Sequence, residues 1–122
     1  MEVLEQDLCY KIVGISMEIY NKLGYGFLEK VYENALKNEL KSNKIDAKQQ
    51  SPIKVIYNGK IVGDYISDLL IEDRVIIELK SIEKLSKIHE AQILNYLKAT
   101  KIRVGLLINF SPKKLEFKKM VL

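Results

Sequence analysis

The chain has 122 residues, with 20 Lys plus Arg against 16 Asp plus Glu, a formal net charge of +4 and a pI near 9.0. A chain of this length typically buries about two thirds of the surface its unfolded form exposes. With 48% hydrophobic and 30% charged residues, disorder is excluded and one domain over residues 1–122 is expected.

A lone cysteine, Cys9, excludes an internal disulfide, and a lone histidine, His89, leaves no Cys/His set for structural zinc. Both point to a reducing, cytoplasmic setting. No apolar run approaches the roughly 20 residues of a membrane span, and the opening MEVLEQDLCY carries acids where a signal peptide would carry lysines. A soluble, untargeted protein with no membrane partner is the expectation.

In chain order, Leu4, Leu8, Ile12, Ile15, Ile19 and Leu23 recur at steps of three or four and predict a helix over about 4–23. Gly24-Tyr25-Gly26 breaks it, and Leu28, Val31, Tyr32, Ala35, Leu36 and Leu40 predict a second helix over about 27–43. β-Branched runs follow at about 47–57, 60–72 and 74–81. Asn58-Gly59 between the first two is a strong hairpin signal, since both central positions of a type I′ turn need positive φ. A third helix over about 87–100 precedes an apolar strand at 103–110, and Ser111-Pro112 leads into a last strand at 115–120. The order ααβββαββ predicts an α+β fold, a mixed central sheet flanked by helices. The strand after the third helix is expected to run parallel to a neighbour.

Several residues break these local patterns. On a helical wheel Glu29 falls between Leu36 and Leu40, inside the apolar arc; it also sits in a first turn, where the helix dipole favours an acid. In the strand VIIELKS, Glu78 and Lys80 share a face with Ile76, and Asp68 interrupts the preceding apolar strand. Unpaired buried charge costs several kcal/mol, so these three need a cleft, mutual pairing or a cation. Register decides whether they meet. A two-residue turn at Glu72-Asp73 puts Asp68 and Glu78 on opposite sides of the sheet, whereas a three-residue loop sets Ile71 opposite Val75 and Asp68 opposite Glu78.

The third helix carries Gln92, Asn95 and Tyr96 as a polar group and is apolar on two other sides. One side expects the sheet and the other a further cover, such as a second subunit in a homodimer. His89 reads as a surface residue of this helix and Cys9 as a small buried one. Only Arg74 and Arg103 among the basic residues are arginine. The one local basic excess, Lys113, Lys114, Lys118 and Lys119, suits a phosphate-contacting strand and equally a solvated edge strand whose lysines oppose aggregation.

An Asp on one strand and a Glu two residues before a Lys on the next supply two hard oxygen ligands and a cation. With no sulfur or imidazole nearby, Mg²⁺ or Mn²⁺ is the preferred ion and phosphodiester hydrolysis the fitting reaction. Asp68, nine intervening residues and Glu78-Leu79-Lys80 resemble the signature of the PD-(D/E)XK nuclease superfamily. Gly26, Glu29 and Tyr32 resemble its Gly-x-x-Glu-x-x-Tyr family, as do the segments Ala91 to Leu97 and Gly105 to Phe110. The superfamily's usual Pro beside the first Asp is Ser67 here.

The resemblance implies a restriction-endonuclease-like core and a metal held by Asp68, Glu78 and the Leu79 main-chain carbonyl. It further implies that Glu29 completes the site, Lys80 assists the attacking water, and Gln92 stands beside the lysine. Tyr32, Asn95 and Tyr96 would support these residues, and the partner implied is nucleic acid, DNA first. The competing readings are a module that keeps the fold and binds nucleic acid or assembles with protein without turnover, and a structural dimer whose charges pair internally.

Overall fold

The computed structural model describes residues 4–122. Its elements are α1 (Gln6–Leu23), α2 (Glu29–Ser42), β1 (Ala47–Tyr57), β2 (Lys60–Ile71), β3 (Val75–Lys80), α3 (Lys87–Thr100), β4 (Val104–Phe110) and β5 (Leu115–Val121). The expected order holds, with boundaries moved by a residue or two. No helix among the described residues is long and apolar enough to cross a membrane.

The five strands form one sheet in the order β1-β2-β3-β4-β5. All neighbours are antiparallel except β3 and β4, which run parallel, as a crossover through α3 requires. One face is covered by α1 and α2. Their buried stripes, including Ile12, Ile15, Ile19, Tyr32, Leu36 and Leu40, pack on Leu69, Ile77, Leu79, Leu106, Ile108 and Phe110. The other face carries α3, whose Ile93, Tyr96 and Leu97 close on Ile53, Ile76 and Leu107. Strands β3 and β4 are buried on both faces, which is why VIIELK and VGLLINF read as near-continuous apolar runs.

α1 stops at Gly24, whose φ of 68° is available to glycine at little cost. The following loop is pinned by Tyr32, which stacks on Phe110 with ring centroids 4.1 Å apart. Its hydroxyl donates to the Gly24 carbonyl (2.6 Å) and accepts the Phe27 N–H (3.2 Å).

The turn between β2 and β3 settles the register. Glu72 and Asp73 both take left-handed φ (52° and 55°), and the Arg74 N–H closes onto the Ile71 carbonyl at 2.9 Å. Arg74 is then an extra residue, so Ile71 pairs with Val75, Leu70 with Ile76 and Leu69 with Ile77. This is the three-residue loop.

β1 and β2 are far longer than β3, and only Leu69, Leu70 and Ile71 pair with it. Beyond them the two strands continue as an isolated ribbon to the Asn58-Gly59 turn, whose φ values of 50° and 78° are those of the expected hairpin. The ribbon rolls as it leaves the sheet. Strict alternation from Ala47 and Leu69 would place Ile53 and Tyr65 on the α1/α2 side. Instead Ile53 joins the core under α3, and the Tyr65 ring lies 5.7 Å from that of Tyr96. Leu94 and Ala99 of α3 are partly buried against the cluster that includes Ile53, whereas Ile88 at the start of the helix stays 79% exposed.

Candidate active site

Asp68 is the first residue of β2 beyond the last β2–β3 pair. There, side chains take over from the main-chain ladder: Asp68 Oδ2 accepts the Leu79 N–H at 2.8 Å, and the Asp68 N–H donates to Glu78 Oε1 at 3.3 Å. The two carboxylates are therefore interlocked across the fork between the strands. Glu78 is only 6% exposed and Asp68 half-buried.

Burial, and then the charge of Asp68, push the Glu78 carboxyl up to about 8, while the main-chain hydrogen bond from Asp68 and the Lys80 ammonium pull the other way. Without a cation this site therefore carries close to one proton at neutral pH. Lys80, two residues on and half-buried, ends the same face of β3.

α3 closes the site from above. Tyr96 is buried, and its phenol is held protonated above its ordinary value by burial and by the charges of Glu78 and Asp68. Gln92, one turn earlier and exposed, donates its amide to the Tyr96 hydroxyl at 3.2 Å. The structure thus brings together Asp68, Glu78, Lys80, Tyr96 and, through Tyr96, Gln92. Asn95 stands apart. It is exposed in a cleft between α3 and the ribbon, lined by Lys54, Val55, Ile56, Lys98 and Ala99.

Glu29 is the exposed first residue of α2, in the first turn where the helix dipole favours an acid, and not an interior residue as its place on the wheel suggested. The wheel argument fails because the arc through Leu36 and Leu40 is covered only from Tyr32 onward. The buried acid of this helix is Glu33, at 3% exposure. Its position was readable, since Glu33, Leu36 and Leu40 keep the i, i+3, i+7 step of a buried stripe. Tyr32 lies in the α1/α2 core and acts on the loop before α2, with no hydrogen bond to the carboxylates.

The chain leaving β3 is held from two sides. Ser81 Oγ donates to the Phe27 carbonyl at 3.1 Å. Asn109, the one polar side chain facing inward from β4, accepts the Ile82 N–H and donates to the Ile82 carbonyl, both at 3.0 Å. It also donates to Glu116 Oε1 at 2.8 Å, and that carboxylate accepts the Leu85 N–H at 3.2 Å. A lone Asn in the apolar run RVGLLINF was the available signal for this brace.

The C-terminal lysines divide. Lys118 pairs with Glu90 at 3.1 Å, and Lys119 donates to the Leu4 carbonyl. Lys113 and Lys114 are exposed in the turn after β4 and line a shallow cleft with Glu83, Lys84, Ser111 and Pro112. Because β3 and β4 are parallel, this cleft lies at the same end of the sheet as Lys80. His89 caps α3, accepting the Ser86 N–H at Nδ1 (3.0 Å), and Cys9 is buried, its thiol pushed up by burial.

Over residues 6–120 the sequence matches the family model of the PD-(D/E)XK nuclease superfamily. None of the curated proteins matches the chain. Among solved structures the fold is similar to that in the crystal structure of SSO0001, with a TM-score of 0.61 at 19% identity, over 76% of this chain and 50% of that one. The chain thus spans about half the length of that protein.

Proposed function

We propose that this chain, which belongs to the PD-(D/E)XK nuclease superfamily, is a metal-dependent nuclease of the Gly-x-x-Glu-x-x-Tyr family, represented by Gly26, Glu29 and Tyr32. The observation that carries this reading is the fork at Asp68 and Glu78: two interlocked carboxylates beside a lysine at the end of a buried strand.

The donor set fits a hard divalent cation. It is all oxygen, it gathers two carboxylates, and the proton retained by Glu78 is the cost of holding them together without a cation. Asp68, Glu78 and the Leu79 main-chain carbonyl would hold Mg²⁺ or Mn²⁺. When bound, the ion supplies a more acidic water and neutralises charge on a phosphate.

The chain's own residues do the rest. Glu78 gives up its proton before it can ligate, so affinity for the ion rises with pH toward 8. Lys80 orients the attacking water and faces the charge that grows on the phosphate. The Tyr96 hydroxyl, protonated and tied to Gln92, covers the carboxylates from the α3 side and limits access of bulk water. Glu29 enters this reading as a residue at the rim rather than as a ligand. Lys84, Lys113 and Lys114 would follow the phosphates of the nucleic acid, DNA first, whereas Lys118 and Lys119 are engaged within the chain.

The test is titration of Mg²⁺ and Mn²⁺ with labelled single-stranded, duplex and branched DNA and with RNA, comparing wild type with Glu78→Ala and Lys80→Ala. Calorimetry of Mn²⁺ binding in buffers of different ionisation enthalpy accompanies it. Expected are metal-dependent cleavage lost in both variants and release of close to one proton per ion at pH 7. Ion binding without cleavage of any substrate would favour the silent binding or assembly module, and absence of ion binding would overturn the metal site.

A further inference from the structure

We propose that Glu33, on the face of the sheet opposite the carboxylates, is a positioning residue for them: it clamps a left-handed turn in β1 that rolls the ribbon off β3 and seats Asp68 against Glu78.

Three side chains converge on the buried Glu33 carboxylate. Oε2 accepts from Lys30 Nζ at 3.0 Å and from Gln49 Nε2 at 2.8 Å, while Oε1 accepts from Gln50 Nε2 at 3.0 Å. Gln49 also reaches Asn34 Oδ1 at 2.9 Å. Neighbouring residues of a strand point to opposite faces, yet Gln49 and Gln50 both point at α2. The reason is Gln50, which has a φ of 51° in the middle of β1. Outside glycine that conformation is uncommon in a strand, and nothing in the Gln50 side chain favours it intrinsically. What holds it is the hydrogen bond to Glu33.

The turn lies where the site opens. The pairs Gln49 with Leu69 and Ser51 with Ser67 bracket Gln50 and Asp68, so Gln50 stands across β1–β2 from Asp68. Asp68 is also where β2 parts from β3. From this point outward the ribbon changes face, and Ile53 and Tyr65 come to lie under and beside Tyr96. A flat β1 would let β2 continue its ladder along β3, and the Leu79 N–H would seek a main-chain carbonyl instead of Asp68 Oδ2. An ionised carboxylate suits the clamp because all three partners present donors. A glutamine there would turn an N–H₂ toward one of them.

The consequence for chemistry rests on the reading of Asp68 and Glu78 as the active site, but the test does not. Amide hydrogen exchange is measured on the full metal-free chain for wild type, Glu33→Gln, Gln50→Ala, and Glu33→Gln combined with Gln50→Gly. Cleavage is assayed in parallel. Expected in Glu33→Gln and in Gln50→Ala is a selective loss of about tenfold in Leu79 amide protection relative to the β4 amides, the scale of strain at one left-handed residue. Adding Gln50→Gly to Glu33→Gln should restore that protection, because glycine keeps positive φ without a clamp.

Loss of protection at Leu79 only in step with β4, or no change at Leu79, would reduce Glu33 to an ordinary structural acid. Failure of the glycine to restore Leu79 would overturn the proposal as well. Should Glu33→Gln not fold, Gln50→Ala alone decides by the same comparison. Selective loss at Leu79 in a chain whose wild type cleaves nothing would leave the clamp standing and remove only its catalytic meaning.

Discussion

The two faces of the sheet are built to different ends. Toward α1 and α2 the sheet presents the larger apolar layer, with Tyr32 and Phe110 stacked at one end. Toward α3 the apolar cluster is smaller, and the same strands set Asp68, Glu78 and Lys80 beside it. Alternation along β3 makes the division residue by residue: Val75, Ile77 and Leu79 face one way, Ile76, Glu78 and Lys80 the other. Apolar packing thus lies on one side of the strand and, on the other, a carboxylate that burial disfavours, so removing the Glu78 charge and removing an aromatic from the α1/α2 layer should move stability in opposite directions.

The largest effect is expected at Glu78. Glu78→Gln should abolish metal-dependent cleavage in the assay above while raising the thermal midpoint of the metal-free protein at pH 8. The folded carboxyl is raised to about 8 from an ordinary 4.5, so the folded state binds the extra proton across that interval. Stability should be fully present below about pH 4.5 and fall as pH rises through 8, by at most about 1.4 kcal/mol per pH unit. The Gln variant should lack that fall in thermal melts between pH 5 and 8. A wild type as stable at pH 8 as at pH 5 would break the comparison.

In the α1/α2 layer the sign reverses. Tyr32→Ala should cost about 3–5 kcal/mol in denaturant unfolding, as for other large buried aromatics, and should release the loop between Gly24 and Phe27. Gly105 is a smaller test on the α3 face. A Cβ there would stand 2.7 Å from Ile93 Cδ1, so Gly105→Ala should push α3 outward and cost about 1–3 kcal/mol by overpacking. The smallest effect is expected at the lysines. Lys113→Ala and Lys114→Ala should each lower the slope of log affinity for DNA against log salt by about 1. Lys118→Ala, already paired with Glu90, should change it less.

The helices, the strands and the parallel β3–β4 pair were readable because each follows from apolar spacing or from a helix between two strands. The meeting of Asp68 with Glu78 was readable only as one of two registers. The choice turned on left-handed φ at Glu72 and Asp73, a conformation that neither side chain announces. Glu29 and Glu33 show the limit of a wheel: it gives the direction of a side chain without saying where along the helix the neighbouring layer begins. Gln49 and Gln50 look in sequence like an ordinary polar stretch of an edge strand. Their role depends on a carboxylate 16 and 17 residues away. The division of the C-terminal lysines likewise rests on Glu90 and the Leu4 carbonyl, contacts made by folding alone.

The three-residue loop between β2 and β3 also has a consequence in time. Asp68 and Glu78 are ten positions apart, so the closure that unites them is among the shortest the chain makes, and hairpins form in about 1–10 μs. The β3–β4 pair must wait for α3 to be laid across it, a slower kind of contact. The β2–β3 turn that draws Asp68 and Glu78 together is therefore local structure, available before the sheet is complete, whereas the Glu33 contacts that seat Asp68 come from α2. On the proposed reading of the site, stabilisation by a divalent ion should then be smaller than its affinity for the finished protein implies, because incompletely folded chains that hold the turn compete for it.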